Sequence, residues 1–121
     1  MKTIVKLSRI HGIGVFAAKN IMRNEIIEMC NLIILSQKDT RLIDKTSLYD
    51  YYFSWKNNKS GIALGNGSLY NHSYEPNAKY VKNFSVATIT FVALKLIRVG
   101  SEITVNYNGD HKKKTRVWFD K

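Results

Sequence analysis

The 121 residues hold one cysteine, Cys30, one proline, Pro76, and three histidines. A lone cysteine cannot close an internal disulfide, and three histidines leave little material for a structural zinc cluster, so neither staple is expected and no metal site is assigned. With a single proline and no Ser/Gly-rich stretch, the sequence gives no sign of an internal linker, a disordered arm or a low-complexity tract. One domain spanning residues 1–121 is therefore expected, since 45% hydrophobic residues suffice for one core and the length is short for two. No apolar run approaches the roughly 18 residues needed to cross a bilayer. Charges also interrupt the apolar residues of Met1-Lys2-Thr3-Ile4-Val5-Lys6, so no membrane association is expected. The expected location is intracellular and cytoplasmic by default, or a host nucleus if the chain is an exported effector or a viral protein. Acidic residues are scarce too: nine Asp and Glu against nineteen Lys and Arg give a net charge of +10. That excludes an acidic solvating chain and favours anionic neighbours such as nucleic acid.

What the chain does have is short β-branched runs. The clearest is Val86 to Leu94, with Ala87, Ile89, Phe91 and Ala93 on one face and Thr88 and Thr90 on the other. Further strands are expected over Ile4 to Leu7, Glu25 to Leu35, Ala78 to Val81 and Glu102 to Tyr107, with breaks at Gly12, Asn24, Gly65 to Gly67, Asn83 and Gly100. Helix signals are thin. Asp39 to Ile43 reads as one or two turns, and Ser47 to Phe53 fits strand or helix equally. A mostly β fold follows. Two segments share a shape: Ile21-Met22-Arg23-Asn24 leads into Glu25-Ile26-Ile27 as Ile97-Arg98-Val99-Gly100 leads into Ser101-Glu102-Ile103. Asn and Gly both tolerate the left-handed backbone, so this reads as one turn chemistry used twice, too few copies for a solenoid.

Three segments could carry chemistry. His11-Gly12-Ile13-Gly14 can bring backbone N–H groups close to a ligand or can be a tight turn between strands. A dinucleotide fingerprint fits less well, because the third glycine is missing and no long helix pattern follows. Gly65 to Ala78 is dense in amides and hydroxyls around Asn71-His72-Ser73, which suits a polar small molecule or a self-satisfied buried turn. Gly100 to Gly109 ends in Tyr107, which could present its hydroxyl to a cleft or simply pack in the core.

Taken in this order and spacing, the three segments resemble the SET-domain family of protein lysine methyltransferases over nearly the whole chain. The glycine loop is His11-Gly12-Ile13-Gly14, the asparagine-histidine-serine signature is Asn71-His72-Ser73 with Pro76-Asn77, and the closing strand is Glu102 to Tyr107. Tyr51-Tyr52-Phe53-Ser54 through Ala63-Leu64-Gly65 resembles the small stand-alone SET domains of large algal viruses and bacteria. The resemblance implies several small twisted sheets, little helix, and a C-terminal pseudoknot that tucks the closing segment against Asn71-His72. It implies S-adenosylmethionine as cofactor, met by the backbone of Gly12, Ile13 and Gly14, by Asn71 at the amino-acid end, by the His72 backbone at the adenine, and by Trp118 as an adenine cover. Tyr107 is then the catalytic tyrosine of a lysine channel to which Tyr51 also contributes. The substrate would be a lysine-bearing histone-like, nucleoid or ribosomal protein.

The sequence departs from the family at Tyr74, where many relatives carry the cysteine of a zinc-bound extension, and at Asn108-Gly109-Asp110-His111, where many carry a second tyrosine. Because a +10 enzyme repels cationic tails at low salt, Lys112, Lys113, Lys114 and Arg116 are expected to dock on nucleic acid that carries the substrate. A homodimer that completes the substrate groove is a further expectation. The alternative is a non-catalytic SET-like basic module that binds nucleic acid or a chromatin partner. A small β-barrel nucleic-acid binder would interleave aromatics with basic residues along its strands, and only Tyr80 between Lys79 and Lys82 fits.

Overall fold

The computed structural model describes residues 1–108. Two curled sheets carry the fold. The first has the order β1 (Thr3–Leu7), β2 (Ile13–Ala17), β9 (Glu102–Val105), β6 (Asn71–His72). The second has the order β4 (Phe53–Trp55), β5 (Lys59–Ala63), β3 (Ile26–Leu35), β8 (Thr88–Ala93), β7 (Ala78–Asn83). Among the described residues there is one α-helix, α1 (Gln37–Ile43), preceded by Ser36, whose hydroxyl accepts the Asp39 N–H as an N-cap. The Ser47–Phe53 ambiguity resolves into a 3-10 turn at Ser47–Asp50 followed by β4.

Alternation sets the core. Ile89, Phe91 and Ala93 of β8 are fully buried, as their shared face requires. The strand starts at Thr88, later than expected from Val86, because Ala87 takes a left-handed φ of 53° and closes the turn after β7. On β3, a bulge between Ile26 and Glu28 turns Ile27 inward while keeping Cys30 and Leu32 on the core side. The closing strand is also shorter than expected: β9 ends at Val105, and Asn106 and Tyr107 leave the sheet.

The twin turns are paired with each other. Ile21 and Ile97 exchange both backbone hydrogen bonds at 2.8 Å. Asn24 donates to the Ala93 carbonyl at 2.8 Å, and Gly100 donates to the Ala17 carbonyl at 2.8 Å. Ala93 and Ala17 in turn donate to Glu25 and Ser101. Each residue of one turn thus has its counterpart in the other, with φ of 70° at Asn24 and 89° at Gly100. The shared sequence shape is therefore a reciprocal contact that locks the β2 exit to the β8 exit, and it delivers β9 back to the middle of the first sheet.

That return matters for function. β9 lies between β2, antiparallel on one side, and β6, parallel on the other, with Asn71 opposite Thr104 and His72 opposite Val105. The Asn77 side chain fixes the register, accepting the Thr104 N–H at 2.9 Å and donating to the Glu102 carbonyl at 2.8 Å. Residues more than 30 positions apart in the chain thereby become neighbours.

Candidate active site

The β1–β2 loop is held from below by one carboxylate. Gly12 has a φ of 49°, which bends the chain so that its carbonyl accepts the Ser8 N–H at 2.9 Å. Ser8 Oγ accepts the Ile10 N–H at 2.9 Å and donates to Glu102 Oε1 at 2.6 Å. Glu102 Oε2 accepts from Asn71 Nδ2 at 2.8 Å, and the same Nδ2 lies 3.1 Å from the carbonyls of both His11 and Ile13. With the amide nitrogen turned onto three oxygens, Asn71 Oδ1 is the atom left to meet a ligand, and it is an acceptor. Gly14 is required by space: a Cβ there would sit 2.3 Å from Glu102 Oε2 and 2.9 Å from Asn71 Nδ2.

Tyr107 is fixed at both ends. Its backbone N–H donates to His72 Nδ1 at 3.0 Å, and its hydroxyl donates to the Tyr70 carbonyl at 2.6 Å. Burial holds its phenol protonated far above the usual tyrosine range. Tyr70 is itself anchored: 1% exposed, stacked on Phe91 with ring centroids 4.2 Å apart, and donating its own hydroxyl to Glu28 Oε1 at 2.6 Å. Phe53, Tyr80 and Phe91 complete an aromatic wall, with Phe53 and Tyr80 centroids 5.2 Å apart. Burial pushes the Tyr80 hydroxyl up to about 12.

Two cavities open on these groups. The larger, about 480 Å³, is lined by the loop residues Ile10 to Ile13 together with Leu69, Asn71 and His72. The smaller, about 200 Å³, is lined largely by aromatics, among them Phe53, Tyr70 and Tyr80. Asp50, Tyr51, Ser68 and Tyr107 line both, so the cavities meet at Tyr107. The Ser68 hydroxyl in that shared wall is buried and has no hydrogen-bond partner among the described residues.

Of the residues singled out in the sequence, Gly12, Ile13, Asn71, His72, Tyr51 and Tyr107 come together around the two cavities, whereas Gly14 stands behind the loop as a packing position. Trp118, Lys112, Lys113, Lys114 and Arg116 lie outside the described residues. Sequence reasoning missed Ser68, Asp50, Glu28 and Lys82. Glu28 was concealed in an apolar strand, where a carboxylate between Ile27 and Met29 was itself the available signal.

Comparison with known proteins agrees with this geometry. The SET domain family profile matches residues 12–108. A histone-lysine N-methyltransferase of Schizosaccharomyces pombe (strain 972 / ATCC 24843), specific for H3 lysine-37, is 32% identical over 110 residues, covering 90% of this chain and 71% of that protein. The crystal structure of a candidate histone methyltransferase of Plasmodium falciparum superimposes with a TM-score of 0.72 at 29% identity, covering 90% of this chain and 99% of that one. A humanized mutant of the Chaetomium thermophilum Polycomb Repressive Complex 2, bound to the inhibitor GSK126, shares the fold at a TM-score of 0.72 and 18% identity, over 87% of this chain and 14% of that one. The chain belongs to the SET-domain family of protein-lysine methyltransferases.

Proposed function

We propose that this chain transfers a methyl group from S-adenosylmethionine to a lysine of a histone-like, nucleoid or ribosomal protein, with the cofactor in the larger cavity and the lysine in the smaller. The observation that carries the reading is the meeting of the two cavities at Tyr107. Several features support the cofactor assignment. A cavity of about 480 Å³ falls within the roughly 300–1,000 Å³ of small-molecule sites. Asn71 Oδ1 is an acceptor suited to the α-ammonium of an amino acid, and the buried Ser68 hydroxyl has no partner among the described residues. Gly12, Ile13 and His72 also line this cavity; their backbone, with that of Gly14, is proposed to meet the cofactor, and Trp118 remains the proposed adenine cover.

When bound, S-adenosylmethionine supplies an electrophilic methyl carbon on a sulfonium. The protein's task is to present an uncharged amine in line with it. A free lysine with a pKa near 10.4 is only about 0.1% neutral near pH 7.4. The aromatic wall of Phe53, Tyr70 and Tyr80 removes water from the amine, which disfavours its charged form. The Tyr107 hydroxyl proton is committed to the Tyr70 carbonyl, so its oxygen serves as an acceptor that orients the amine or a C–H of the methyl group. Holding the reacting atoms near contact distance lowers the barrier by several kcal/mol through orientation alone. Tyr51, at the junction, completes the channel wall.

The histone part of this reading rests on what the similar proteins are named for. Docking on nucleic acid through Lys112, Lys113, Lys114 and Arg116 rests on the +10 charge. Both are tested by incubating the protein with methyl-labelled cofactor and separate pools of histones, nucleosomes and ribosomal proteins, then locating the mark by mass spectrometry. Labelled lysine in one pool is the expected result. Label absent from every pool contradicts the substrate class, and equal rates on free and DNA-bound substrate at all salt concentrations contradict the docking.

A further inference from the structure

Lys82 lies on β7, and its side chain lines the smaller cavity. Its amine donates to the Ser54 carbonyl at 2.7 Å and to Ser54 Oγ at 3.3 Å. These are neutral partners. No carboxylate among the described residues pairs with it, and burial holds the amine below the usual lysine range. A half-buried cation without a counter-ion is an uncomfortable wall for a channel that must admit another cation. The cavity's remaining charged residue is Asp50, which sits with Tyr107 and Tyr51 where the two cavities join. Lys82 and Ser54 line the smaller cavity alone, so the positive charge lies away from the point of transfer and the negative charge lies at it.

We infer that the substrate carries an acidic side chain, Asp or Glu, within a few residues of the target lysine, and that this carboxylate pairs with the Lys82 ammonium while the target amine passes Asp50 toward Tyr107. The inference rests on reading the smaller cavity as the lysine channel. A second observation points the same way: at +10 the protein repels uniformly basic segments and attracts acid-flanked ones. In an extended peptide each residue advances about 3.3 Å, so a carboxylate one to three positions from the lysine lies within about 10 Å of it along the chain.

The test is a set of peptides bearing one lysine, with Glu, Gln or Lys placed in turn at each of the three positions on either side, methylated by the wild-type chain and by Lys82→Met and Lys82→Glu. Each enzyme is judged by its own Glu-to-Gln ratio of kcat/KM, which a change in folded fraction leaves unaltered. The expected ratio is about fivefold at one or more positions in the wild type. It should fall close to one in Lys82→Met, and in Lys82→Glu the preference should pass to Lys. A wild-type ratio near one at every position, or a preference that survives in Lys82→Met, overturns the inference while leaving the lysine-channel reading intact. Cofactor binding without methylation of any peptide or protein lysine overturns the channel reading and this inference with it.

Discussion

The hydroxyl of Tyr107 donates to the backbone carbonyl of Tyr70 across 2.6 Å, although 37 positions separate the two residues. The parallel pairing sets His72 beside Val105; past Val105 the chain leaves the sheet, the Tyr107 N–H is held by His72 Nδ1, and the Tyr107 side chain reaches back to the carbonyl of Tyr70, the residue before β6. Tyr70 is in turn fixed by Glu28 and Phe91, so the phenol at the cavity junction is held through a chain of buried contacts.

Tyr70→Phe removes the donor to Glu28 Oε1 but keeps the carbonyl that anchors Tyr107. The variant leaves a part-buried carboxylate oxygen short of a charge-assisted bond, a loss of about 1–3 kcal/mol. Thermal unfolding should therefore occur several degrees lower, while methyl transfer falls far less than in a Tyr107 variant. An unchanged Tm would show that the Glu28 contact contributes nothing.

Glu102→Ala strips the acceptor from both Ser8 and Asn71. The loop and the amide lose their common brace, and affinity for S-adenosylmethionine should drop about tenfold, the equivalent of one lost hydrogen bond to a charged group. Calorimetric titration reads this directly. An unaltered Kd would mean that the loop is held by its backbone alone.

The twin turns make a prediction about backbone conformation. Asn24 has a φ of 70°, so Asn24→Gly should keep stability within about 0.5 kcal/mol, whereas Asn24→Ala should cost about 1 kcal/mol or more. Denaturant unfolding separates the two. Equal midpoints for Ala and Gly would remove the left-handed requirement.

Cys30 supplies a pH test. Burial pushes its thiol up from 9.0 to about 12, with the Glu28 carboxylate adding to the shift. The folded state therefore binds this proton more tightly than the unfolded chain. Its contribution to stability is complete below pH 9 and declines as pH rises from there toward 12. At pH 8 the native thiol should resist alkylation, and reagent should label it only when the chain opens. Rapid labelling under native conditions would contradict this burial.

Much of the fold was legible because alternation leaves a trace in the sequence. Ile89, Phe91 and Ala93 declare the core face of β8, and the matched Asn24 and Gly100 turns declare equivalent backbone geometry. What the residues could not declare was partnership. That the two turns bind each other, or that β9 enters between β2 and β6, follows from long-range pairing, which no local pattern encodes. β5 was missed because Lys59-Ser60-Gly61 looks like a loop until Leu32 and Ile34 are packed over Gly61. At the site, the sequence motifs point to the glycine loop, Asn71 and Tyr107, which line the cavities. Glu28 and Lys82 acquire meaning only from the cavity and the buried tyrosine they face.

The central claim is that a phenol at the junction of two cavities governs methyl transfer. Its most direct test is single-turnover transfer from methyl-labelled S-adenosylmethionine by the wild type and Tyr107→Phe, each shown by calorimetry to be loaded with cofactor. The account predicts equal loading and a loss of at least about a hundredfold in the transfer rate, the scale of one group acting in the transition state. Equal rates from equally loaded proteins would contradict it.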